Sequence, residues 1–145
     1  MGLFDKVMGK RSNELDVAES FLAVALCAVA ADGVITEEEA MGLQASLGRM
    51  QAFAKWDGKT LKKAMEKIVR SLHEGGVEAV LPAAAKALPK ELRPTAFAVA
   101  ADLLLMDGDV ADTERAFLEA LQKALAVEDA LAVKIVEVLE IKNRG

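Results

Sequence analysis

The chain has 145 residues, which at about 150 residues per domain predicts a single domain. Hydrophobic residues make up 53% of it and charged residues 28%, so it can bury a core, and intrinsic disorder is excluded. The formal net charge of -5 argues against a general nucleic-acid binder, which needs a basic surface to neutralise phosphates. Strong helix formers dominate and tyrosine is absent, so the composition favours an all-α fold.

The first predicted element is a short amphipathic segment at residues 1–12. Its apolar residues share one helical face: Leu3, Phe4, Val7 and Met8. A longer helix over 13–31 follows and becomes apolar on nearly all sides, as a central helix does. Its uncharged apolar run of 21–31 is shorter than the ~20 residues that a membrane-spanning helix needs.

Six further helices are predicted, over 37–50, 59–74, 77–88, 95–106, from 112 or 113 onward, and over 127–142. Asp57-Gly58 marks a turn, and Gly75-Gly76 ends the basic amphipathic helix. No stretch has the composition of a linker, so residues 13–145 are predicted to form one compact helical domain.

Two segments of the chain superimpose when they are shifted by 75 residues: 23–45 and 98–120. Both contain Asp-Gly-x-(Ile/Val)-x-x-x-Glu, preceded by an apolar helix and followed by an amphipathic one. Such helix–loop–helix pairs usually pack around a pseudo-two-fold axis. The sequence therefore predicts an all-α domain built on two pseudo-two-fold-related repeats.

Four acidic residues occupy matching positions in the repeats: Asp32, Glu39, Asp107 and Glu114. Helix capping can explain the first pair, because Thr36 and Glu39 match a capping box and Asp32 can solvate a helix end. In the second copy Ala111 replaces Thr36, yet Glu114 is retained without that capping partner. Carboxylate oxygens suit Ca²⁺ or Mg²⁺, so two facing loops would form a divalent-cation site.

Other side chains are predicted to have structural or solvated roles. Cys27 lies in an apolar run and is expected to be a buried, inert thiol, whereas His73 is expected to be solvated. Trp56 is expected to be a core plug or a lid residue. A basic face is expected to be solvated, or else to meet an acidic partner or anionic lipid: Lys59, Lys62, Lys63, Lys67 and Arg70. No nucleophile or phosphate-binding glycine loop accompanies the acids, so an enzyme is not expected.

The motifs AVAADGVITEEE at 28–39, AADLLLMDGDVADTE at 100–114 and the closing VEVLEIK resemble the TerB family of tellurite-resistance proteins. The resemblance covers roughly residues 15–142. It implies a helical domain with paired helix–loop–helix units and a divalent-metal site formed by Asp32, Glu39, Asp107 and Glu114. The resemblance also gives Glu38 and Asp109 as weaker candidate ligands and Asp102 as a supporting one. It also implies a role in stress and metal-oxyanion resistance, at or near the inner face of the membrane, with no established catalysis.

The expected function is that of a non-enzymatic, divalent-cation-binding helical module in stress or tellurite resistance that acts through protein partners. The alternative is a purely structural interaction domain whose acidic residues only cap helices. A cytoplasmic location is expected, with peripheral association at the inner membrane as a further option. Nucleic acid is not an expected partner, and the oligomeric state is left open.

Overall fold

The computed structural model describes the backbone of residues 3–30, 37–105 and 112–144, and side chains there except at 3–16, 37–40, 46, 52 and 113. Over these ranges the chain forms seven α-helices and two single-turn 3₁₀ helices without any strand, which confirms the all-α class. The α-helices are α1 (Leu3–Ala30), α2 (Glu37–Leu47), α3 (Gly58–Gly75), α4 (Val77–Ala87), α5 (Arg93–Leu105), α6 (Asp112–Leu125) and α7 (Asp129–Lys142). The 3₁₀ helices are Gln51–Phe53 and Lys90–Leu92.

The second half of α1 is the centre of the core, as its apolar sequence predicts. Residues 21–29 are all buried, and Leu22, Leu26 and Cys27 are each 0% exposed. A helix that is apolar on every side must be covered on every side, and α1 packs against α3, α4 and α5.

The start of the chain differs from the prediction. Residues 1–12 and 13–31 are predicted as two elements, whereas the structure has one helix from Leu3 to Ala30. The junction, Gly9 to Asn13, contains Lys10 and Arg11, which favour helix, and one interior glycine costs only about 1 kcal/mol. Residue 12 is therefore not a helix boundary. The side chains of the predicted apolar face at Leu3, Phe4, Val7 and Met8 lie outside the described residues.

A second apolar helix, α5, lies against α1 and also contacts α6 and α7. Its buried residues include Phe97, Ala100 and Leu104, so it has the central position that its sequence predicts. It begins at Arg93, two residues earlier than predicted, directly after the 3₁₀ turn Lys90–Leu92. Arg93 Nε donates to the Leu88 carbonyl at 3.2 Å and ties this turn to the end of α4.

The ends of α3 follow the predicted turns. The Asp57 carboxylate accepts a hydrogen bond from the Thr60 amide at 2.7 Å and caps the helix, and this bond lowers the pKa of Asp57. At the other end Gly76 has a φ of 73°, a left-handed conformation that glycine adopts without a steric penalty. Pro82 lies inside the next helix, α4. Because proline has no N–H, it donates no hydrogen bond to the backbone carbonyl of Glu78.

Two connections contain the acidic motifs of the repeats, 31–36 after α1 and 106–111 after α5, and we call them the acidic connections. The helices that flank them end and begin at matching positions in the two repeats. The shift of 75 residues relates Ala30, the last residue of α1, to Leu105, the last residue of α5. It also relates Glu37 and Asp112, the first residues of α2 and α6. The packing of the second helices differs, because α6 contacts α4 and α5 whereas α2 makes limited contact with α1. The pseudo-two-fold arrangement of the two units stays a prediction.

Candidate functional site

Of the four predicted cation ligands, only the Glu114 side chain is described. Asp32 and Asp107 lie in the connections 31–36 and 106–111, outside the described residues. Glu39 is in the first turn of α2, but its side chain also lies outside them, as do Glu38 and Asp109. Thr36 and Ala111, which enter the capping interpretation, lie there too. The juxtaposition of the four carboxylates is therefore a prediction.

Glu114 is buried on the core-facing side of α6. It is 8% exposed and lies in the first turn of the helix. Phe117, Leu121 and Leu125 follow it at spacings of three and four residues, and all three are buried. Residues at this spacing share one helix face, so Glu114 is the first residue of the stripe that packs into the core. The positive end of the helix dipole favours a carboxylate at this position.

Asp102, the supporting candidate, has structural partners on α7. Lys142 Nζ donates to both of its carboxylate oxygens at 3.2 Å, and Asn143 Nδ2 donates to Oδ1 at 3.0 Å. Asp102 and Lys142 also line a cleft of about 520 Å³ between α2, α5 and α7, together with Arg49.

In the first repeat Cys27 takes the place of Asp102, and there burial raises the pKa of the thiol from 9.0 to about 12. The two positions therefore differ in their surroundings, and the predicted burial of Cys27 is confirmed.

No three acidic, histidine or cysteine side chains among those described form a group that can hold a metal ion. Since three of the four predicted ligands are outside that set, the cation hypothesis is left untested. None of the described helices is both long and apolar enough to cross a membrane.

The predicted exposure of His73 and of the basic face is confirmed. His73 is exposed in the last turn of α3, and the basic residues of this helix are exposed as well. Lys67 forms an ion pair with Glu19 of α1 at 3.5 Å. Trp56 is half-buried, and its ring meets that of the buried Phe53 edge-on, with centroids 5.1 Å apart.

Two surface features are absent from the sequence-based predictions. The first is a groove of about 890 Å³ along α3, lined by Gln44 of α2 and, from α3, by Lys62, Met65, Glu66, Val69, Arg70, His73 and Glu74. We call it the α2–α3 groove. The second is a set of exposed apolar side chains on α7. The sequence of α7 contains more apolar residues than one buried helix face needs, and this excess would have indicated them.

Comparison with known proteins gives no relative: no protein-family model, curated protein or solved structure matches the chain.

Proposed function

We propose that the chain is a non-enzymatic helical module that binds Ca²⁺ or Mg²⁺ with the acids of its two repeats and acts through protein partners. The ligands in this proposal are Asp32, Glu39, Asp107 and Glu114. The proposal includes the TerB-like pseudo-two-fold arrangement and, through that resemblance, a role in stress or tellurite resistance. A cytoplasmic location, with peripheral contact at the inner membrane, also belongs to it.

The burial of Glu114 is the observation that carries the proposal. Burying a carboxylate costs free energy, and an acid that is exposed in the first turn of a helix avoids this cost. An exposed acid also interacts favourably with the helix dipole, so the dipole alone does not explain why Glu114 is buried. Asp112, two residues earlier in the same turn, is such an exposed acid. A carboxylate on the core stripe instead suits a role inside the fold, at the start of α6. Ligation of a cation is such a role.

The matched helix ends add support. Since α1 and α5 contact each other, each acidic connection follows one member of a packed pair of helices. Four carboxylates gathered without a cation would repel one another, and a bound divalent ion removes that repulsion. Nothing in the described residues favours catalysis over binding, because Cys27 stays protonated and His73 lies in solvent.

The alternative function, a structural interaction domain without a cation, has an observation of its own in its favour. Two acids with described partners both have structural uses. Asp57 caps α3, and Asp102 joins α5 to the end of α7. If the repeat acids follow the same pattern, they cap helices and bind no ion.

A melting experiment separates the two functions. Metal-stripped protein is melted in chelator and in millimolar Ca²⁺ or Mg²⁺, and the proposal expects a higher melting temperature with the cation. A ligand present at a hundredfold excess over its dissociation constant stabilises the fold by about 2.7 kcal/mol. The variant Asp32→Asn/Asp107→Asn should lose this shift, whereas the matched variant Glu91→Gln/Glu119→Gln, at two exposed sites, should keep it. Equal melting temperatures of the wild type in both solutions would favour the structural alternative.

A further inference from the structure

Helix α7 buries little of itself. Of its 14 residues only Ala132 is buried, and Ile135, Val136 and Leu139 are half-buried where they pack against the core. By contrast α5, the helix against which α7 packs, buries six of its 13 residues. Burial of apolar surface is the dominant favourable term in folding, so the contact that holds α7 to the fold is weak compared with the contacts that hold α5.

Polar contacts fasten both ends of α7. At its start Gln122 Nε2, from α6, donates to Asp129 Oδ1. At its end Lys142 Nζ and Asn143 Nδ2 donate to the carboxylate of Asp102 on α5. The Gln122–Asp129 bond and the Asp102–Lys142 pair lie at the exposed surface, where water and salt compete for the same groups. These contacts therefore position α7 and add little to the free energy that holds it.

The turn before α7 completes the end of α6. The Ala126 amide donates to the Lys123 carbonyl at 3.2 Å, and the Val127 amide donates to the Gln122 carbonyl at 3.1 Å. This pair of bonds ends a helix through one residue in the left-handed conformation, and Ala126, with a φ of 54°, is that residue. Val127 is buried. Since these bonds are made before α7 begins at Asp129, α6 can end in the same way without α7.

We propose that α7 is a detachable strap on α5. It opens as one unit after Val127, while α1, α3, α4, α5 and α6 stay folded. Elements with few buried apolar contacts are the ones that open locally in a native protein. In the closed fold Val99 and Asp102 of α5 face Leu139 and Lys142 of α7 across their shared cleft, and opening uncovers this part of α5. The proposal does not depend on a bound cation.

Amide hydrogen exchange of the whole chain in chelator tests the strap. A helix of 14 residues is marginal on its own in water, so the amides of α7 should exchange whenever it opens. After correction for intrinsic rates, peptides from α7 should exchange at least about tenfold faster than peptides covering residues 21–29 of α1, which are all buried and need global unfolding.

A core variant separates opening of the strap from global unfolding. Ile68→Val removes one methyl group from a buried residue of α3 and destabilises the fold slightly. It should speed exchange in residues 21–29 about two- to tenfold. Exchange in α7 should be unchanged, because the open state keeps residue 68 packed as the closed state does.

A second variant acts on the strap itself. Lys142→Met removes the ion pair with Asp102 and should speed exchange throughout α7 by up to about fivefold. The matched control Lys134→Met makes the same chemical change at another exposed position of α7 and should exchange like the wild type. High salt should speed exchange of α7 in the wild type and leave that of Lys142→Met unchanged.

Three results would overturn the proposal. The first is α7 amides that exchange as slowly as those of residues 21–29. The second is Ile68→Val speeding α7 and α1 equally, which would mean that α7 opens only when the whole chain unfolds. The third is an effect of Lys142→Met that is absent or confined to the last turn, which would mean fraying of the helix end. Each of these leaves the cation proposal standing, because chelator is present throughout.

Discussion

Lys142 Nζ lies 3.2 Å from each carboxylate oxygen of Asp102, so the last turn of α7 is joined to α5 by an ion pair that spans 40 residues of chain. Asn143 adds a hydrogen bond to Asp102 Oδ1. The contact therefore joins the last turn of α7 to the last turn of α5, which ends at Leu105.

A double-mutant cycle measures this ion pair. Asp102→Asn and Lys142→Met should each lower the free energy of unfolding, and the double variant should lose less than the sum of the two. Both side chains are partly exposed, so we expect a coupling of about 0.2–1 kcal/mol that shrinks in high salt. Urea denaturation at two salt concentrations gives the value. Strict additivity would show that the pair adds nothing to stability.

The thiol of Cys27 should be unreactive in the native protein. Burial raises its pKa from 9.0 to about 12, so the thiolate is disfavoured in the fold and a thiol reagent must wait for unfolding. The folded state therefore binds the thiol proton more tightly than the unfolded state does. The contribution of Cys27 to the free energy of unfolding should be constant below pH 9 and fall as the pH rises further. Labelling kinetics at pH 8, with and without urea, check the prediction. Rapid stoichiometric labelling without urea would contradict it.

Leucines at two positions should differ sharply in their effect on stability. Leu22→Ala removes a side chain that is 0% exposed in the centre of α1, and we expect a loss of about 2–5 kcal/mol from lost burial and the remaining cavity. Leu131→Ala, at 39% exposure on α7, makes the same chemical change at the surface and should cost much less. Chemical denaturation of the two variants and the wild type compares them. Similar losses at both sites would contradict the central position of α1.

Local patterns in the sequence predict most of the helices. Apolar periodicity, Asp57-Gly58 and Gly75-Gly76 locate α3, and the apolar runs identify α1 and α5 as the buried helices. The continuity of α1 through Gly9–Asn13 is missed, because a glycine beside polar residues is read as a break although the helix tolerates it. The contact between Asp102 and Lys142 has no local signal at all, since it depends on how α5 and α7 pack.

The candidate site is predicted less fully than the fold. The sequence places Glu114 in the first turn of a helix, which is correct, but its burial is not foreseen. The signal was available, since Phe117, Leu121 and Leu125 continue its spacing as an apolar stripe. The positions of Asp32 and Asp107 relative to one another depend on tertiary packing, about which a repeated motif gives only an expectation.

Calorimetric titration of metal-stripped protein with Ca²⁺ and Mg²⁺ directly tests whether the acids of the two repeats bind a divalent cation. We expect the wild type to give a saturable binding heat at one or two ions per chain, because carboxylate oxygens are the ligands that these cations prefer. The variant Asp32→Asn/Asp107→Asn should lose this heat. The variant Glu91→Gln/Glu119→Gln, which removes two exposed acids elsewhere, should titrate like the wild type. A wild type that gives only heats of dilution with both cations would contradict the claim.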